Sequence, residues 1–334
     1  MEIPGVPIPS VRDITFSTES WQFKAPFKIT GYTFSIVQLL HVSISENGTT
    51  GRGEATGVYY LGETGASMLA QAESVKHALE KGLGRDELRR VLPAGGARNA
   101  IDCALWDLQA KLENKSIWEL TGIKPGPIRS AHTIGIGAPA EMAMTARALD
   151  TGLIKVKLDS NSPLARISAV CEARPDAEIV VDINQGWTFD QLVELAPKFA
   201  DLGVAMIEQP LARGGDEALE SYDSPLVLCA DESCLDTGDF ERAARRYQMI
   251  NIKLDKTGGL TEALELAGLA LARGIGLMVG NMGGTSLAMA PGFVIAQLCR
   301  YVDLDGALFL SKDRENPMTY SGGVVSAPST ALWG

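Results

Sequence analysis

The chain has 334 residues, which is enough for a barrel of about 200 residues and a smaller second domain. Its formal net charge of −11 argues against a nucleic-acid or anionic membrane partner, because phosphate binding depends on clustered lysine and arginine. The composition is 46% hydrophobic, yet no uninterrupted apolar run approaches the roughly 20 residues that cross a bilayer. These properties predict a globular protein without nucleic-acid or membrane partners.

The chain begins with MEIPGVPIPSVRDITF, in which an acidic residue and prolines occupy the place of the positive charge and apolar stretch of a secretory signal. We therefore predict a cytoplasmic protein. The five scattered cysteines, odd in number, are typical of reduced structural thiols. With only three histidines for a zinc site, we expect any metal to be bound by oxygen atoms.

The first third of the chain predicts an α+β domain over residues 1–125. Alternating apolar residues up to about residue 60, interrupted by the turn sequence Glu46-Asn47-Gly48, indicate a small antiparallel sheet. From about residue 65 to residue 122, apolar residues recur at helical spacing. The Gly- and Ser-rich segment 311–334 is expected to return to this domain.

Beyond Pro125, short apolar strands alternate with amphipathic helices, which is the pattern of βαβ units around a parallel sheet. An eightfold alternation closes naturally into a barrel. The predicted fold class is therefore α/β, with a modified TIM barrel over residues 126–310. The eight predicted strands are AHTIGIG, LIKVKL, EIVVDI, VAMIEQ, LVLCADE, QMINIKL, GLMVG and DLDGALF.

Charged residues stand at the carboxyl ends of most of these strands. A single Asp or Glu after a strand is more often a helix cap or a surface charge. Here successive strands end in this way, about one βα repeat apart and in apolar surroundings, and a TIM barrel gathers these ends into one mouth. We therefore predict a ring of functional side chains. Its members are Lys155, Lys157, Asp182, Glu208, Asp231, Lys253, Asp303 and Asp305.

Three carboxylates on adjacent strands, Asp182, Glu208 and Asp231, supply hard oxygen ligands and leave room for water and substrate. This is the preference of Mg²⁺. Without a cation, three converging carboxylates would repel one another and raise one another's pKa. The sequence therefore predicts a magnesium site.

Lysines flank this predicted site from strands two and six. Lys155 and Lys157 are two residues apart and share the inward face of a strand. Like charges and burial both favour the neutral amine of a general base, so we assign Lys157 as one base and Lys155 as its tuning neighbour. Lys253 is the predicted second acid/base on the opposite face. Lys256 should have left the strand, and we expect it in a surface loop.

One base on each face permits removal of a proton alpha to a carboxylate from one side and its return from the other. Metal coordination makes the substrate carboxylate an electron sink, so that the enediolate formed on proton loss becomes accessible. This chemistry inverts the carbon.

The sequence resembles the muconate-lactonizing subgroup of the enolase superfamily over essentially its whole length. The resemblance implies a (β/α)7β barrel beneath an N-terminal α+β capping domain, which closes over the mouth with mobile loops. WQFKAPFKITGYTF and ATGVYYLGETG are the candidate loops. The matching motifs are GRGEAT near Glu54, KVK at 155–157, VDINQGW at 181–187, IEQPL at 207–211, ADES at 230–233 and INIKLDKTGG at 250–259.

Position by position, the resemblance implies metal ligation and proton transfer by the residues already assigned to these roles. It also implies that Asn184 and Glu232 orient the ligands or the lysine of the sixth strand. The family further implies a symmetric homo-oligomer, although no feature of this sequence decides its size.

Within the subgroup, VDLDGALF is similar to the Asp-x-Asp element of dipeptide epimerases. Asp303 and Asp305 could bind the N-terminal ammonium of a dipeptide whose C-terminal carboxylate lies on the metal. Thr133 and Lys155 are further candidates for substrate contact. We therefore predict a Mg²⁺-dependent isomerase that inverts the C-terminal α-carbon of an L-Ala-L/D-Xaa type dipeptide. A loop that merely caps the eighth strand is the alternative interpretation of the Asp-x-Asp element.

Other reactions on the same frame stay open, namely muconate cycloisomerisation, o-succinylbenzoate synthesis and racemisation of an N-acylated amino acid. Their substrates lack a free ammonium. A non-catalytic binding barrel would be expected to lose a lysine or a carboxylate of the predicted site, and all are present. Family members that act on Ala-Glu are expected to offer a basic cap residue, but Lys28 precedes the corresponding position. The side-chain preference therefore stays open.

Overall fold

An antiparallel sheet of three strands begins the computed structural model, which describes residues 12–334. The sheet consists of β1 (Asp13–Ile29), β2 (Tyr32–Glu46) and β3 (Thr49–Ala55). Asn47 and Gly48 join β2 to β3 with φ angles of 52° and 78°, as a tight hairpin turn requires. The expected absence of a secretory signal rests largely on residues 1–11, which lie outside the described residues.

Two of the four helices that follow, α1 (Gly65–Glu80) and α3 (Gly96–Glu113), pack against this sheet. Helix α3, the longest, lies so close to β3 that a Cβ at Gly51 or Gly53 would clash with the carbonyl oxygens of Ala104 and Ala100. The predicted antiparallel sheet and the helical spacing are therefore confirmed. The other two helices are α2 (Arg85–Val91) and α4 (Ile117–Thr121).

A short strand, β4 (Ile128–Arg129), leads into a parallel sheet of eight strands in consecutive order. The Ala131 amide, just before the first of these strands, donates to the Val302 carbonyl of the last at 2.7 Å, so the two edges meet. The predicted α/β barrel is confirmed. Its strands are β5 (His132–Ile134), β6 (Leu153–Lys157), β7 (Glu178–Asp182), β8 (Val204–Glu208), β9 (Val227–Ala230), β10 (Met249–Ile252), β11 (Gly276–Val279) and β12 (Tyr301–Val302).

Helices connect the barrel strands and cover the outside of the barrel. A large apolar cluster fills the layer between strands and helices, as expected when βαβ units cover a parallel sheet. The helices are α5 (Pro139–Ala148), α6 (Pro163–Ala173), α7 (Phe189–Asp201), α8 (Phe240–Arg246), α9 (Leu254–Thr257), α10 (Leu260–Ala272) and α11 (Ser286–Ala296).

The eighth predicted strand, DLDGALF, is wrong in its position. The strand is Tyr301–Val302, and Gly306–Phe309 forms a single 3₁₀ turn. The backbone of Asp305, with φ −91° and ψ 2°, already departs from the extended form and starts this turn. The apolar residues after it therefore pack as a helical turn, which an apolar run of this length does not distinguish from a strand.

The bottom of the barrel is filled by one apolar layer. It takes one residue from each of seven strands and Ala131, which directly precedes β5. Such a layer leaves the opposite end of the barrel for the side chains that follow at the carboxyl ends of the strands. The members are Ala131, Leu153, Val180, Met206, Cys229, Met249, Met278 and Tyr301.

The end of the chain contacts helix α3 of the first domain. Trp333 Nε1 donates to the Cys103 carbonyl at 3.0 Å, and the Gly334 amide donates to Asp107 Oδ1 at 2.8 Å. Before this end, two short strands, β13 (Tyr320–Ser321) and β14 (Val324–Val325), pair with each other, and β14 also pairs with β4. The predicted boundaries at residues 125 and 310 stay predictions. Over residues 12–334, none of the helices is both long enough and apolar enough to cross a membrane.

Candidate active site

Charged side chains stand directly above the apolar layer inside the barrel. Successive side chains of a strand alternate between its faces, so the residue two positions beyond each member of that layer also points inward. These inward residues are polar on seven strands, and the eighth contributes a glycine. In strand order they are Thr133, Lys155, Asp182, Glu208, Asp231, Asn251, Gly280 and Asp303.

Three carboxylates meet on the adjacent strands β7, β8 and β9. Asp182, Glu208 and Asp231 are fully buried, and each offers an oxygen atom within 4.8 Å of the others. Converging carboxylate oxygens of this kind are ligands for a hard divalent cation such as Mg²⁺. These are the residues that could hold the predicted metal.

The pKa values of these carboxyl groups shift in opposite directions. Burial by itself would raise the pKa of Asp182, but the ammonium groups around it, Lys157 foremost, lower it to about 2. Burial and the charge of Asp182 raise the pKa of Glu208 to about 7. The pKa of Asp231 is lowered because nearby lysines, Lys253 foremost, outweigh its burial. Of the three carboxyl groups, Glu208 is therefore the one whose pKa is raised by burial and by its negatively charged neighbours.

Among the described residues, six acidic side chains and four lysines are buried in or beside the mouth of the barrel. Burial, followed by the charges of Asp231 and Asp182, raises the pKa of Glu232 to about 8. Burial and the charge of Asp303 raise the pKa of Asp305 well above its usual range. Two of the acidic groups are therefore left without enough positive charge from the lysines to favour their ionised form, and a divalent cation would supply the missing positive charge, so the residue set fits Mg²⁺. Its members are Asp182, Glu208, Asp231, Glu232, Asp303, Asp305, Lys155, Lys157, Lys253 and Lys256.

Lys155 and Lys157 both point into the mouth from β6, as the sequence predicts. Lys155 Nζ lies 2.7 Å from Glu208 Oε2, 2.9 Å from Asp303 Oδ2 and 3.0 Å from Asp182 Oδ2. Lys157 Nζ donates to Asp182 Oδ2 at 2.6 Å. Lys155 therefore contacts two carboxylates of the cluster and also Asp303 on the other side of the site. Among the described carboxylates, Lys157 contacts only Asp182 of the cluster.

Lys253 directly follows β10, and its Nζ donates to Asp231 Oδ2 at 2.7 Å. Burial lowers its pKa, but the charge of Asp231 and other carboxylates raises it overall. The same competition, led by Asp303 and Glu208, raises the pKa of Lys155 well above its usual range. Lys155 is therefore held in its ammonium form by acidic partners that burial and like charges alone do not take into account. Its assignment as the tuning neighbour of a base at Lys157 stays a prediction.

Lys256 is buried, and the predicted surface role is wrong. Its Nζ donates to Asp231 Oδ1 at 2.7 Å and also to the Asp231, Cys234 and Asn251 carbonyl oxygens at 2.6, 2.9 and 2.8 Å. The lysine left the strand, as expected, but the short helix α9 turns its side chain back beneath the loop after β9. Lys256 thereby fixes the carboxylate of Asp231.

Asp303 and Asp305 lie together beside β5, the first strand of the barrel. The Thr133 amide donates to Asp305 Oδ2 at 2.7 Å, and Thr133 Oγ1 donates to Asp303 Oδ1 at 3.3 Å. Both aspartates are buried and line the same cavity as Thr133. Thr133 therefore holds the Asp-x-Asp pair as well as facing the cavity.

Asn184 and Glu232 occupy the loops after β7 and β9. Asn184 Oδ1 accepts from Lys157 Nζ at 3.1 Å, and the Asn184 amide donates to Asp182 Oδ1 at 2.9 Å. Its backbone is left-handed, with φ 45°, and this turn returns the side chain to the lysine. Asn184 Nδ2 lies 3.5 Å from Glu232 Oε1, while Glu232 Oε2 is buried without a hydrogen-bond partner among the described residues.

A cavity of about 250 Å³ lies between the barrel mouth and the first domain. This is close to the small end of the range of about 300–1,000 Å³ for small-molecule pockets. Both segments predicted as cap loops, residues 21–34 and 55–65, contribute side chains to its lining. The first is a strand hairpin rather than a loop, because β1 and β2 continue to Ile29 and Tyr32 around a turn at Thr30-Gly31.

Asn251 and Lys256 both contact the carboxylate cluster, and neither contact was predicted from the sequence. Asn251 Nδ2 donates to Glu208 Oε1 at 2.7 Å. The signal was available, since Asn251 lies two residues before Lys253 and shares its inward face. The burial of Lys256 had no comparable signal, because it depends on how α9 folds back.

Two family models match the chain over most of its length. The N-terminal domain of mandelate racemase and muconate lactonizing enzyme matches residues 11–122, and the enolase C-terminal domain-like family matches residues 140–331. The chain belongs to the enolase superfamily. The resemblance read from the sequence motifs is thereby confirmed.

Named relatives in the superfamily are isomerases. The chain is 43% identical over 317 residues to L-Ala-D/L-Glu epimerase of Escherichia coli, covering 94% of this chain and 99% of that protein. It is 46% identical over 249 residues to N-acetyl-D-glutamate racemase of a Pseudoalteromonas species, covering 74% and 79%. These matches confirm the prediction of an isomerase that acts on amino acid derivatives.

A solved structure supplies a ligand context. Dipeptide epimerase from Methylococcus capsulatus, in complex with Mg and the dipeptide L-Arg-D-Lys, superposes with a TM-score of 0.89 at 30% identity, covering 96% of this chain and 98% of that chain. The predicted superfamily fold thus extends to a member that binds both a metal and a dipeptide.

Lys256→Met should destabilise this superfamily member by about 3–5 kcal/mol. The change leaves a buried carboxylate and three carbonyl oxygens without their shared donor. Urea unfolding without added metal measures the loss. Lys198→Met, which removes an exposed amine paired with Glu194, is the control and should leave stability almost unchanged. A loss in Lys256→Met no larger than that of the control would contradict the buried role.

Mg²⁺ should raise the melting temperature of the wild-type protein and raise it much less in Glu208→Gln. An ion that binds only the folded state at 100 times its dissociation constant stabilises that state by about 2.7 kcal/mol. Scanning calorimetry with and without Mg²⁺ measures the shift. Glu241→Gln, at an exposed carboxylate, should retain the wild-type response. An equal response in all three proteins would show that the cation binds elsewhere.

Proposed function

We propose that this enzyme is a Mg²⁺-dependent dipeptide epimerase that inverts the α-carbon of the C-terminal residue. The observation that carries the proposal is that two lysines and an aspartate pair line one cavity, and that both lysines contact the adjacent carboxylate cluster. The names of the relatives and the dipeptide in the M. capsulatus structure support the same reaction. A cytoplasmic location and a homo-oligomeric state stay predictions.

The order of strands supports this arrangement. Strands four positions apart in a closed barrel of eight lie across from one another. Lys157 on β6 therefore faces Lys253 after β10 across the mouth, and Glu208 at the end of β8 faces Asp303 after β12. The line between the lysines crosses the line between the metal ligands and the aspartates. A dipeptide along the second line would present its α-carbon between the two lysines.

Asp182, Glu208 and Asp231 are the proposed metal ligands. Bound Mg²⁺ would hold the substrate carboxylate and stabilise the negative charge that develops there when the α-proton leaves. Asn251 and Lys256 hold two of the ligand carboxylates in place through the hydrogen bonds described above. Their role is to fix the directions of the ligand oxygens before the metal arrives.

Lys157 and Lys253 are the proposed acid/base pair. One amine removes the α-proton from one face, and the ammonium of the other delivers a proton to the opposite face, which inverts the centre. Asn184 orients Lys157 through its Oδ1. Lys155 lies between the proposed metal ligands and Asp303 and pairs with carboxylates on both sides. We propose that Glu232 orients the groups around Lys253.

Asp303 and Asp305 are proposed to bind the N-terminal ammonium of the dipeptide. Thr133 fixes both carboxyl groups through its amide and hydroxyl, so their oxygens are positioned before the substrate binds. Charge-assisted hydrogen bonds of this kind are about twice as strong as neutral ones. The pair would therefore favour a free N-terminus.

Lys157→Ala and Lys253→Ala should each lower the rate of inversion by about 10²–10⁴-fold, the usual contribution of a general acid or base. In deuterated water, each variant should still exchange the α-proton of one stereoisomer, and the two variants should serve opposite stereoisomers. Mass spectrometry and chiral chromatography of a dipeptide panel measure both. Lys124→Ala, at an exposed lysine, is the control. A variant that exchanges both stereoisomers at the wild-type rate would rule out the two-base assignment.

Racemisation of an N-acylated amino acid is the second candidate function. The specific observation in its favour is the 46% identity to N-acetyl-D-glutamate racemase. Such a substrate would use the same lysines and metal ligands but would leave the two aspartates without an ammonium to bind. The two candidates therefore differ in the group at Asp303 and Asp305.

Removing the ammonium should separate these candidates. A propionyl-L-amino acid lacks only the ammonium of the matching L-Ala dipeptide, and we expect kcat/KM to fall about tenfold to 100-fold, the value of a charged hydrogen bond. The comparison uses the dipeptide that is turned over fastest, with its N-acetyl amino acid as a further substrate. Equal or greater activity on the acylated compounds would favour the racemase.

A further inference from the structure

The wall that the cap contributes to the cavity is apolar and largely aromatic. Phe34 lies 5.2 Å from Tyr59 and 6.4 Å from Phe23 between ring centroids, and Phe27 lies 4.8 Å from Phe309. All five rings line the cavity, as does Ile29. A substrate held beneath the cap therefore meets hydrocarbon on this side.

Among the described residues, no lysine or arginine of the cap lines this cavity. Lys24 Nζ donates to the Leu308 carbonyl at 2.8 Å, and Lys28 is exposed and does not line the cavity. The cap does contribute Glu63, whose carboxylate accepts from the Val58 and Gly96 amides. The lysines that line the cavity belong to the barrel and are already paired with carboxylates.

The apolar wall lies above the reacting end of the site. Thr30 Oγ1 is 3.1 Å from the carbonyl oxygens of Leu158 and Ile183, the residues that directly follow Lys157 and Asp182. The cap hairpin therefore rests on the second and third barrel strands, beside one proposed base and one proposed metal ligand. Ile29, adjacent to Thr30, is buried there.

Tyr59 extends the same wall toward the second proposed base. Tyr59 lines the same cavity as Lys253. The Thr56 and Gly57 amides of its loop donate to Asp255 Oδ1, two residues beyond Lys253, at 3.0 and 2.7 Å. The wall thus reaches from the side of Lys157 to the side of Lys253. A carbon held between these lysines would lie beneath this wall, and we expect its side chain to pack against it.

We infer that the preferred substrates are dipeptides whose C-terminal residue has an apolar side chain, and that a C-terminal Glu is disfavoured. This inference rests on the proposed dipeptide epimerase function. Burial of an apolar side chain against these rings is favourable in proportion to its area. Burial of a carboxylate there carries a desolvation cost that no cation of the cap offsets.

L-Ala-L-Met, L-Ala-L-Gln and L-Ala-L-Glu form a matched test, because their C-terminal side chains have similar length and differ in polarity and charge. With Mg²⁺ in deuterated water, deuterium uptake and inversion give kcat/KM for each. We expect Met to exceed Glu by about 100-fold or more, with Gln between them, since a hydrophobic pocket already rejects a polar isostere by roughly this factor.

Phe34→Arg should change this preference by placing a cation on the wall. The ratio of kcat/KM for the Glu dipeptide to that for the Met dipeptide should rise at least about tenfold, the value of a charged hydrogen bond. Met144→Arg introduces the same charge at an exposed site on α5, away from the cavity, and should leave the ratio unchanged. Circular dichroism confirms that both variants are folded.

The outcomes are distinguishable. A wild-type enzyme that prefers Glu to Met overturns the inference while leaving the epimerase proposal intact, and this measurement does not depend on any variant folding. An unchanged ratio in folded Phe34→Arg also overturns the inference, because the side chain then lies elsewhere. If none of the dipeptides exchanges or inverts, the proposed function itself fails.

Discussion

The concentration of charge inside the barrel mouth is the constraint on which the rest of the structure depends. Six buried carboxyl groups and four buried lysines could not stay there unpaired, since each isolated charge would cost several kcal/mol to remove from water. The structure pairs most of them with one another, as at Lys155, whose amine lies 3.0 Å or less from three carboxylates. These contacts join strands β6, β7 and β8 and Asp303 after β12 into one network, and a divalent cation would supply the positive charge that the remaining acidic groups lack.

The barrel makes such a network possible because every second side chain of a strand points into its interior. Each inward residue of the apolar layer is followed two positions later by a member of the charged layer, as Leu153 is by Lys155 and Met206 by Glu208. The lower layer provides a dry, rigid base, and burial in it keeps water from reaching the charges from below. The positions of the charged residues in this upper layer are then set by the strands that carry them.

The same alternation explains why so much of the site could be predicted from the sequence. The strand ends carry Asp182, Glu208 and Asp231 at regular spacing, and their convergence follows from the fold alone. What could not be predicted depended on chain direction after a strand. Lys256 turns back beneath the loop after β9 through a four-residue helix, and Asp305 starts a 3₁₀ turn where an extended strand was expected. The apolar cap wall was also hidden, since its rings gather only when β1 and β2 pair.

The cap does more than cover the cavity, because it also holds the segment that follows Lys253. Asp255 Oδ1 accepts from the Thr56 and Gly57 amides at 3.0 and 2.7 Å, which joins the loop carrying Tyr59 to helix α9. Arg98 of α3 donates to the Thr257 and Gly258 carbonyls just beyond. The one-turn helix that fixes Lys253 and Lys256 is therefore held between cap and barrel. The loop that carries Tyr59 and the segment after Lys253 are therefore positioned by the same contacts between cap and barrel.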